Sequence, residues 1–327
     1  MVAAPSDIPM ASRSIQHVLL HDSKRLAGLL AFDIGSARIE VQCLLQHVLG
    51  VTRAYLLAHP ERCLNDAEQV QYDELLQRRL QGEPVAYLLG EREFFGLRFK
   101  VTPATLIPRP DTELLVELAL QRCERVAAPP PGTHRPPPCG EIPQKHPSPQ
   151  PSPPCGRGGK FRVLDMGTGS GAIALAIAHS RPEAEILACD ASAAALDVAR
   201  ENALHLGIAN VLFVQSDWFS ALGAQHFDLI VSNPPYISAG DPHLQQGDLR
   251  FEPASALASG NDGLNDIRRI VAGAVVHLNS GGWLLLEHGY DQAERVRELL
   301  RQTGFGDVFS ACDLAGIERV SGGRSAH

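Results

Sequence analysis

The chain lacks what several protein classes require. Its 327 residues contain 7 cysteines, Cys43, Cys63, Cys123, Cys139, Cys155, Cys189 and Cys312, an odd number, scattered and without a Cys-x-x-Cys pair. Neither a disulfide framework nor a zinc site is indicated, and the thiols are expected to be reduced and mostly buried. No stretch approaches the ~18 consecutive apolar residues of a membrane-spanning helix, so an integral membrane protein is not expected. Residues Met1 to Ser14 lack the basic region, apolar core and small-residue cleavage site of a secretory signal, and a cytoplasmic location is expected. No internal repeat is visible. What is present is ordinary for a globular protein, 44% apolar and 20% charged residues, in a chain long enough for about two domains.

Charge is unevenly placed. Residues 1–159 carry 17 Lys/Arg against 17 Asp/Glu, and residues 160–327 carry 12 against 20, so the net charge of −8 sits in the second half. That half repels nucleic acid unless a local basic patch compensates.

Proline divides the chain. Between residues 127 and 159 lie 12 of the 24 prolines with hardly an aliphatic side chain, which reads as a disordered or polyproline-like linker. Cys139, Cys155, His134 and His146 fall within it, but their spacing matches no metal pattern. Before it, residues 14–30, 36–49 and 65–80 carry apolar residues at helical intervals, with Ser36 and Asn65 as expected N-caps and Gly50 as a stop. Residues 1–90 are therefore read as a helical bundle. The segment 91–126 follows, with a β-rich run at 94–101 broken by Gly96 as a hairpin, the loop LIPRPDTE, and a connecting helix over 111–125. Residues 160–327 alternate strands at 162–166, 186–190, 211–215, 228–232 and 283–287 with helices at 172–179, 192–206, 264–278 and 292–301. A closing hairpin is expected at 308–312 and 318–321. Such alternation predicts a mostly parallel sheet covered by helices on both faces.

The first strand of that region runs into Asp165-Met166-Gly167-Thr168-Gly169-Ser170-Gly171-Ala172, where glycines let a ligand approach a helix N-terminus. The next strand ends in Asp190, placed to accept both hydroxyls of a ribose. A dinucleotide and S-adenosylmethionine both suit these features. Asp165 favours the second, because a strand-end carboxylate suits an amino-acid ammonium group and sits poorly beside a pyrophosphate. After the third strand, Asp217 is a candidate acceptor for an adenine amino group and Trp218 a candidate cover for the ring; a buried Trp beside a loop carboxylate explains them nearly as well.

The fourth strand delivers Asn233-Pro234-Pro235-Tyr236. Two prolines remove two amide donors and leave neighbouring carbonyls unpaired, so the Asn233 side-chain oxygen and a backbone carbonyl form a two-acceptor fork. Such a fork holds both hydrogens of a planar NH2 group, while Tyr236 lies against its π-plane. An amide nitrogen is a poor nucleophile; accepting from both hydrogens builds electron density on it as a methyl group arrives, without a strong base.

The blocks GEPVAYLLGEREFFGLRFKV, TLIPRPDTELLVE, VLDMGTGSGAIALA, SDWFSAL, VSNPPYI, DPHLQQGDLRFEPASAL and LLLEHGY together resemble those of the HemK-type protein-(glutamine-N5) methyltransferases, over nearly the whole chain. The resemblance implies a class I S-adenosylmethionine-dependent methyltransferase, α/β and Rossmann-like, with a mostly parallel seven-stranded sheet and a small N-terminal helical domain that docks the substrate. It implies methylation of the Gly-Gly-Gln glutamine of bacterial peptide-chain release factors, with S-adenosylmethionine as methyl donor, S-adenosylhomocysteine as product, and no metal. By the same likeness Gly167, Thr168, Gly169, Ser170, Gly171, Asp190, Trp218 and Asn233 bind the cofactor. Asn233, Pro234, Pro235 and Tyr236 bind the glutamine amide, with Asn233, Pro234 and Tyr236 catalytic. Arg109 is placed near the site, where a loop salt bridge is an equal explanation. The long Pro-rich linker departs from the family pattern.

Adenine-N6 methylation of DNA or RNA suits the Asn-Pro-Pro-Tyr chemistry equally but is disfavoured by the acidic second half. An NAD-linked oxidoreductase is allowed by the glycine pattern but has no identifiable proton donor, and a non-catalytic binding role leaves Asn233 unexplained. The expected partners are thus release factors, with no membrane and no stable nucleic-acid complex.

Overall fold

Ser14, Asp33, Thr52 and Asn65 each accept a hydrogen bond from a backbone N–H at the start of the helix that follows, satisfying donors that a helix terminus leaves free. In this computed structural model the described residues are 12–31, 33–125 and 160–326. They fall into two units, Met1–Gly90 and Glu91–His327.

The first unit contains α1 (Ile15–Leu30), α2 (Ile34–Leu49), α3 (Arg53–Ala58), α4 (Asp66–Leu80) and α5 (Val85–Leu89). Ile15, Val18, Leu26, Val41, Leu44 and Tyr72 are fully buried in a single core. Asn65 is the expected cap, reinforced by Glu68 in a reciprocal capping box. Ser36 is not: the cap of α2 is Asp33, and Ser36 lies one turn inside, donating to it from N and Oγ. Aspartate caps as well as serine, and the earlier start lets Ile34 join the helix.

The second unit opens with a hairpin, β1 (Glu91–Phe94) and β2 (Leu97–Lys100). Its turn residues Phe95 and Gly96 both have positive φ, 52° and 77°, as a two-residue turn matched to strand twist requires. Glu113 accepts from Phe95 N at 3.0 Å and Glu93 from Gly96 N at 2.7 Å, offsetting the strain. A 3₁₀ turn, Pro110–Thr112, then leads into α6 (Glu113–Arg125).

The remainder runs β3 (Arg162–Met166), α7 (Ala172–Ser180), β4 (Glu185–Asp190), α8 (Ala193–Leu206), β5 (Val211–Gln215), β6 (Phe227–Ser232), α9 (Asn265–His277), β7 (Leu278–Glu287), α10 (Ala293–Gln302), β8 (Gly306–Cys312) and β9 (Glu318–Arg324). The sheet has seven strands in the order β5-β4-β3-β6-β7-β9-β8, parallel except that β9 lies antiparallel between β7 and β8. Period-two alternation sends Val163, Ala188, Leu229, Val231 and Leu285 to one face, under α6 and α7. Leu164, Leu187, Ile230, Leu284 and Leu286 go to the other, under α9 and α10. Both faces are buried, which accounts for the near-continuous apolar reading of the central strands.

The helix expected over 264–278 ends at His277, and its strand begins at Leu278 instead of Trp283, bending through Gly281 at φ 74°. The Pro-rich segment 127–159, with Cys139, Cys155, His134 and His146, lies outside the described residues. The cysteine expectation fails in part. Among the described cysteines Cys189 is buried, Cys43 and Cys123 are half-buried and Cys63 is exposed, while Cys312 is disulfide-bonded. No described helix is long and apolar enough to cross a membrane.

Candidate active site

Strand register assembles the site. Met166 pairs with Cys189 on one side and Ser232 on the other, and Asp190 pairs with Gln215. The glycine loop, Asp190, Trp218 and Asn233 therefore all leave the sheet at its carboxyl edge. β3 runs outward to β4 on one side and borders β6 on the other, the switch point at which open α/β sheets form a crevice. Ser232 Oγ donates to Met166 O at 2.7 Å and pins the two strands there.

Gly167, Gly169 and Gly171 have φ of 70°, 55° and 83°, a left-handed path that a β-carbon would strain. The carboxylates hold this path. Asp165 Oδ2 accepts from Thr168 Oγ1 at 2.6 Å and from Ala174 N at 3.1 Å, and Asp190 accepts from Gly169 N and Ser192 N, each at 2.9 Å. Asp165 is completely buried and its Oδ1 has no hydrogen-bond partner. Burial pushes its pKa up to about 7, against the opposing bonds from Thr168 and Ala174. A buried, unsatisfied carboxylate oxygen is an acceptor waiting for a cation or donor.

Trp218, itself at φ 51°, lays its ring beside Gly167, where a β-carbon would sit 3.6 Å from Cζ3. Its Nε1 donates to Asp266 at 3.1 Å, which fixes the ring plane. Asp217 instead pairs with Arg269 at 2.9 Å on the surface. The ring thus lies against the glycine loop, whereas the Asp217 carboxylate is committed to an arginine.

Asn233 to Tyr236 follow β6 at the same edge. Asn233 Nδ2 donates to Thr112 Oγ1 at 3.2 Å, and neither Asn233 Oδ1 nor the Pro234 carbonyl accepts any hydrogen bond from the described residues. Both acceptors of the fork are therefore open. Tyr236 is held at its two ends: Gln292 Nε2 donates to its carbonyl at 2.9 Å, and its hydroxyl donates to Glu287 Oε1 at 3.5 Å. Burial, with Glu287 beside it, raises the Tyr236 pKa well above the phenolic range, so it stays neutral.

Sequence reasoning missed Glu287, Thr112, Gln292 and Glu252. Glu287 ends the apolar run Trp283-Leu284-Leu285-Leu286, and a carboxylate closing a buried strand at the ligand edge was the available signal. Arg109 forms the salt bridge considered as its alternative reading, with the buried Glu252, which also accepts from Ile107 N at 3.0 Å. Among the described residues no cluster of His, Cys, Asp or Glu is placed to hold a metal.

Residues 24–90 match the family model for the PrmC N-terminal domain and residues 157–306 that for the methyltransferase small domain. The release factor glutamine methyltransferase of Bordetella pertussis (strain Tohama I) is 50% identical over 299 residues, covering 91% of this chain and 98% of that one. The chain belongs to the release factor glutamine methyltransferase family. The enzyme of that name from Escherichia coli (strain K12) is 47% identical, covering 88% of this chain and 92% of its own. Among solved structures, the catalytic domain of hMettl16 superposes with a TM-score of 0.51 at 15% identity, covering 78% of this chain and 82% of that one. This likeness shows the fold, a class I methyltransferase, which the seven-stranded topology of this family member also displays.

Proposed function

We propose that this enzyme methylates the side-chain amide nitrogen, N5, of the Gly-Gly-Gln glutamine in bacterial peptide-chain release factors, in the cytoplasm, with S-adenosylmethionine as donor. What supports the reading is that Asn233 Oδ1 and the Pro234 carbonyl accept no hydrogen bond from the described residues, at the same sheet edge as a glycine loop bordered by an unsatisfied carboxylate.

The residues present fit the cofactor. Asp165 Oδ1 suits its ammonium group, Asp190 retains lone pairs for ribose hydroxyls, the loop of Gly167, Thr168, Gly169, Ser170 and Gly171 has open space at Gly169, and Trp218 offers a ring face. When bound, the cofactor supplies an electrophilic methyl group on a sulfonium. The protein's own part is positional. Asn233 and Pro234 accept from the two amide hydrogens, Pro235 stiffens the loop, and Tyr236, neutral and held by Gln292 and Glu287, lies against the amide plane. Acceptors aimed at both N–H bonds favour the charge that develops on nitrogen as its lone pair is drawn to the methyl carbon. The helical unit Met1–Gly90 is assigned to docking the release factor.

The test is incubation with isotopically labelled S-adenosylmethionine and purified release factors, followed by mass-spectrometric mapping. Label on the glutamine of the Gly-Gly-Gln loop supports the reading; label on any other residue, or on added nucleic acid alone, overturns it.

A further inference from the structure

We propose that Asp266 is a positioning residue that ties the cofactor side of the site to the fork, one carboxylate holding both the Trp218 ring and the chain that follows Tyr236; the inference rests on the function proposed above.

On the cofactor side, Trp218 Nε1 donates to Asp266 Oδ1 at 3.1 Å while the indole ring lies beside Gly167. Arg269, one turn further along α9, reinforces this contact: its Nη2 pairs with Asp217 at 2.9 Å and its Nη1 with Asp266 Oδ1 at 3.6 Å. On the other side, Ser259 Oγ donates to Asp266 Oδ2 at 2.7 Å and accepts from Asp266 N at 2.8 Å. That N–H is one of the donors left free at the start of α9, where the cap residue Leu264 offers no side-chain acceptor. Ser259 is buried, and its backbone carries the tie onward. Ser259 N donates to Ile237 O at 2.8 Å, and Ile237 N donates to Leu257 O at 2.9 Å. Ile237 directly follows Tyr236, the last residue of the fork.

The side chain at 266 has to be a carboxylate for this arrangement to close. An indole N–H only donates, and the Ser259 hydroxyl, whose oxygen already receives Asp266 N–H, has its proton left to give. Two donors therefore converge on one side chain, and aspartate offers an oxygen to each. Asparagine would satisfy one and set its NH2 group against the other; alanine would satisfy neither. Because the two oxygens belong to one planar group, a rotation that gives up one partner also misaligns the other. A disturbance on either side is thereby felt on the other, and coupling between two binding equilibria is reciprocal.

The test reads each side from the other, in the full-length enzyme. Trp218→Phe keeps an aromatic ring for the cofactor but removes its N–H. Ser259→Ala removes a hydroxyl that makes no bond to Trp218, and Asp266→Ala removes the junction. A ring that served the cofactor alone would, when altered, raise the S-adenosylmethionine Kd and leave kcat at saturating cofactor unchanged. The tie instead predicts that Trp218→Phe lowers saturated kcat toward a release factor about fivefold or more. Conversely, Ser259→Ala should weaken S-adenosylhomocysteine binding about threefold or more by calorimetry. In an Asp266→Ala background, Trp218→Phe should no longer lower saturated kcat, nor Ser259→Ala weaken cofactor binding further. A third readout needs no turnover. The chain has two tryptophans, so the Trp218 indole N–H resonance is assigned by its loss in Trp218→Phe; it should shift in Ser259→Ala as well as in Asp266→Ala. Denaturation midpoints establish that each variant is folded, and if Ser259→Ala does not fold, the Trp218→Phe arm decides. Wild-type saturated kcat in Trp218→Phe, wild-type cofactor Kd or an unmoved indole resonance in folded Ser259→Ala, or additive effects in Asp266→Ala overturns the inference. If wild type transfers no methyl group to glutamine, the proposed function fails, and the indole resonance and cofactor Kd of Ser259→Ala still decide the tie.

Discussion

In the proposed reaction Asn233 is the residue on which the chemistry turns, and its Oδ1 accepts no hydrogen bond from the described residues. Asn233→Ala should lower kcat by about 10²-fold or more while cofactor binding is largely retained, because orientation and acceptor are lost together; single-turnover rates beside calorimetric Kd values check this. Asp190→Ala should act the other way, raising the cofactor Kd far more than it lowers saturated kcat. The buried Asp165 couples pH to both stability and binding. Its folded pKa, about 7, lies above the unfolded carboxylate value of 3.8, so between those values the folded chain holds a proton that the unfolded chain has released. That contribution to stability is fully present below about pH 4 and is lost as pH rises through 7; the raised pKa of Glu287 acts in the same direction. A bound ammonium group favours the ionised Asp165. Cofactor affinity should therefore tighten over the same interval in which the ligand-free protein loses stability, and Asp165→Asn should flatten both trends in denaturation and calorimetry. Asp165 and Asp190 stood out as candidates because they lie at or next to strand ends; their part in holding the glycine loop was not legible, since that depends on backbone donors that only the folded loop presents.

At the scale of elements, local chemistry was legible wherever one residue suffices to set it. Asn65 with Glu68 at N3 signals a helix start, and Asn65→Ala should destabilise the first unit by about 1 kcal/mol, read as a lower denaturation midpoint. Ser36 misled because both it and Asp33 are good caps; Asp33 takes the position, and Ser36 donates to its carboxylate from N and Oγ. The start of β7 was hidden because Gly281 and Gly282 look like a loop, and this stretch is a bulge where the register with β6 shifts between Leu278 and Trp283. The loop carrying Tyr236 is constrained from a distance. A β-carbon on Gly263, at φ 73°, would lie 2.1 Å from the Tyr236 carbonyl and 2.6 Å from Gln292 Nε2. Gly263→Ala should therefore displace Tyr236 and cut kcat by about tenfold or more while leaving cofactor Kd near wild type.

For the whole molecule, the two units have separate apolar cores, with Leu44 and Tyr72 in one and Leu164 and Leu229 in others. A chain lacking Met1–Gly90 should fold, bind S-adenosylmethionine with near wild-type Kd, and lose most methylation of intact release factor. Unchanged kcat/KM toward the intact factor would show that the first unit has no part in docking. The acidic second half, with 12 Lys/Arg against 20 Asp/Glu in residues 160–327, remains consistent with a protein and not a nucleic-acid substrate.

The sequence by itself determined the alternation of strands and helices, the glycine loop and its carboxylates, and the Asn-Pro-Pro-Tyr fork, because each is encoded in adjacent residues whose backbone preferences are local. Only the tertiary structure decided which groups steady the fork. Thr112 reaches Asn233 across 121 residues, Glu287 reaches Tyr236 across 51, and Gln292 reaches the Tyr236 carbonyl across 56. No periodicity records such pairings. They exist because parallel register brings the carboxyl ends of β3, β6 and β7 to one edge, where segments far apart in sequence meet.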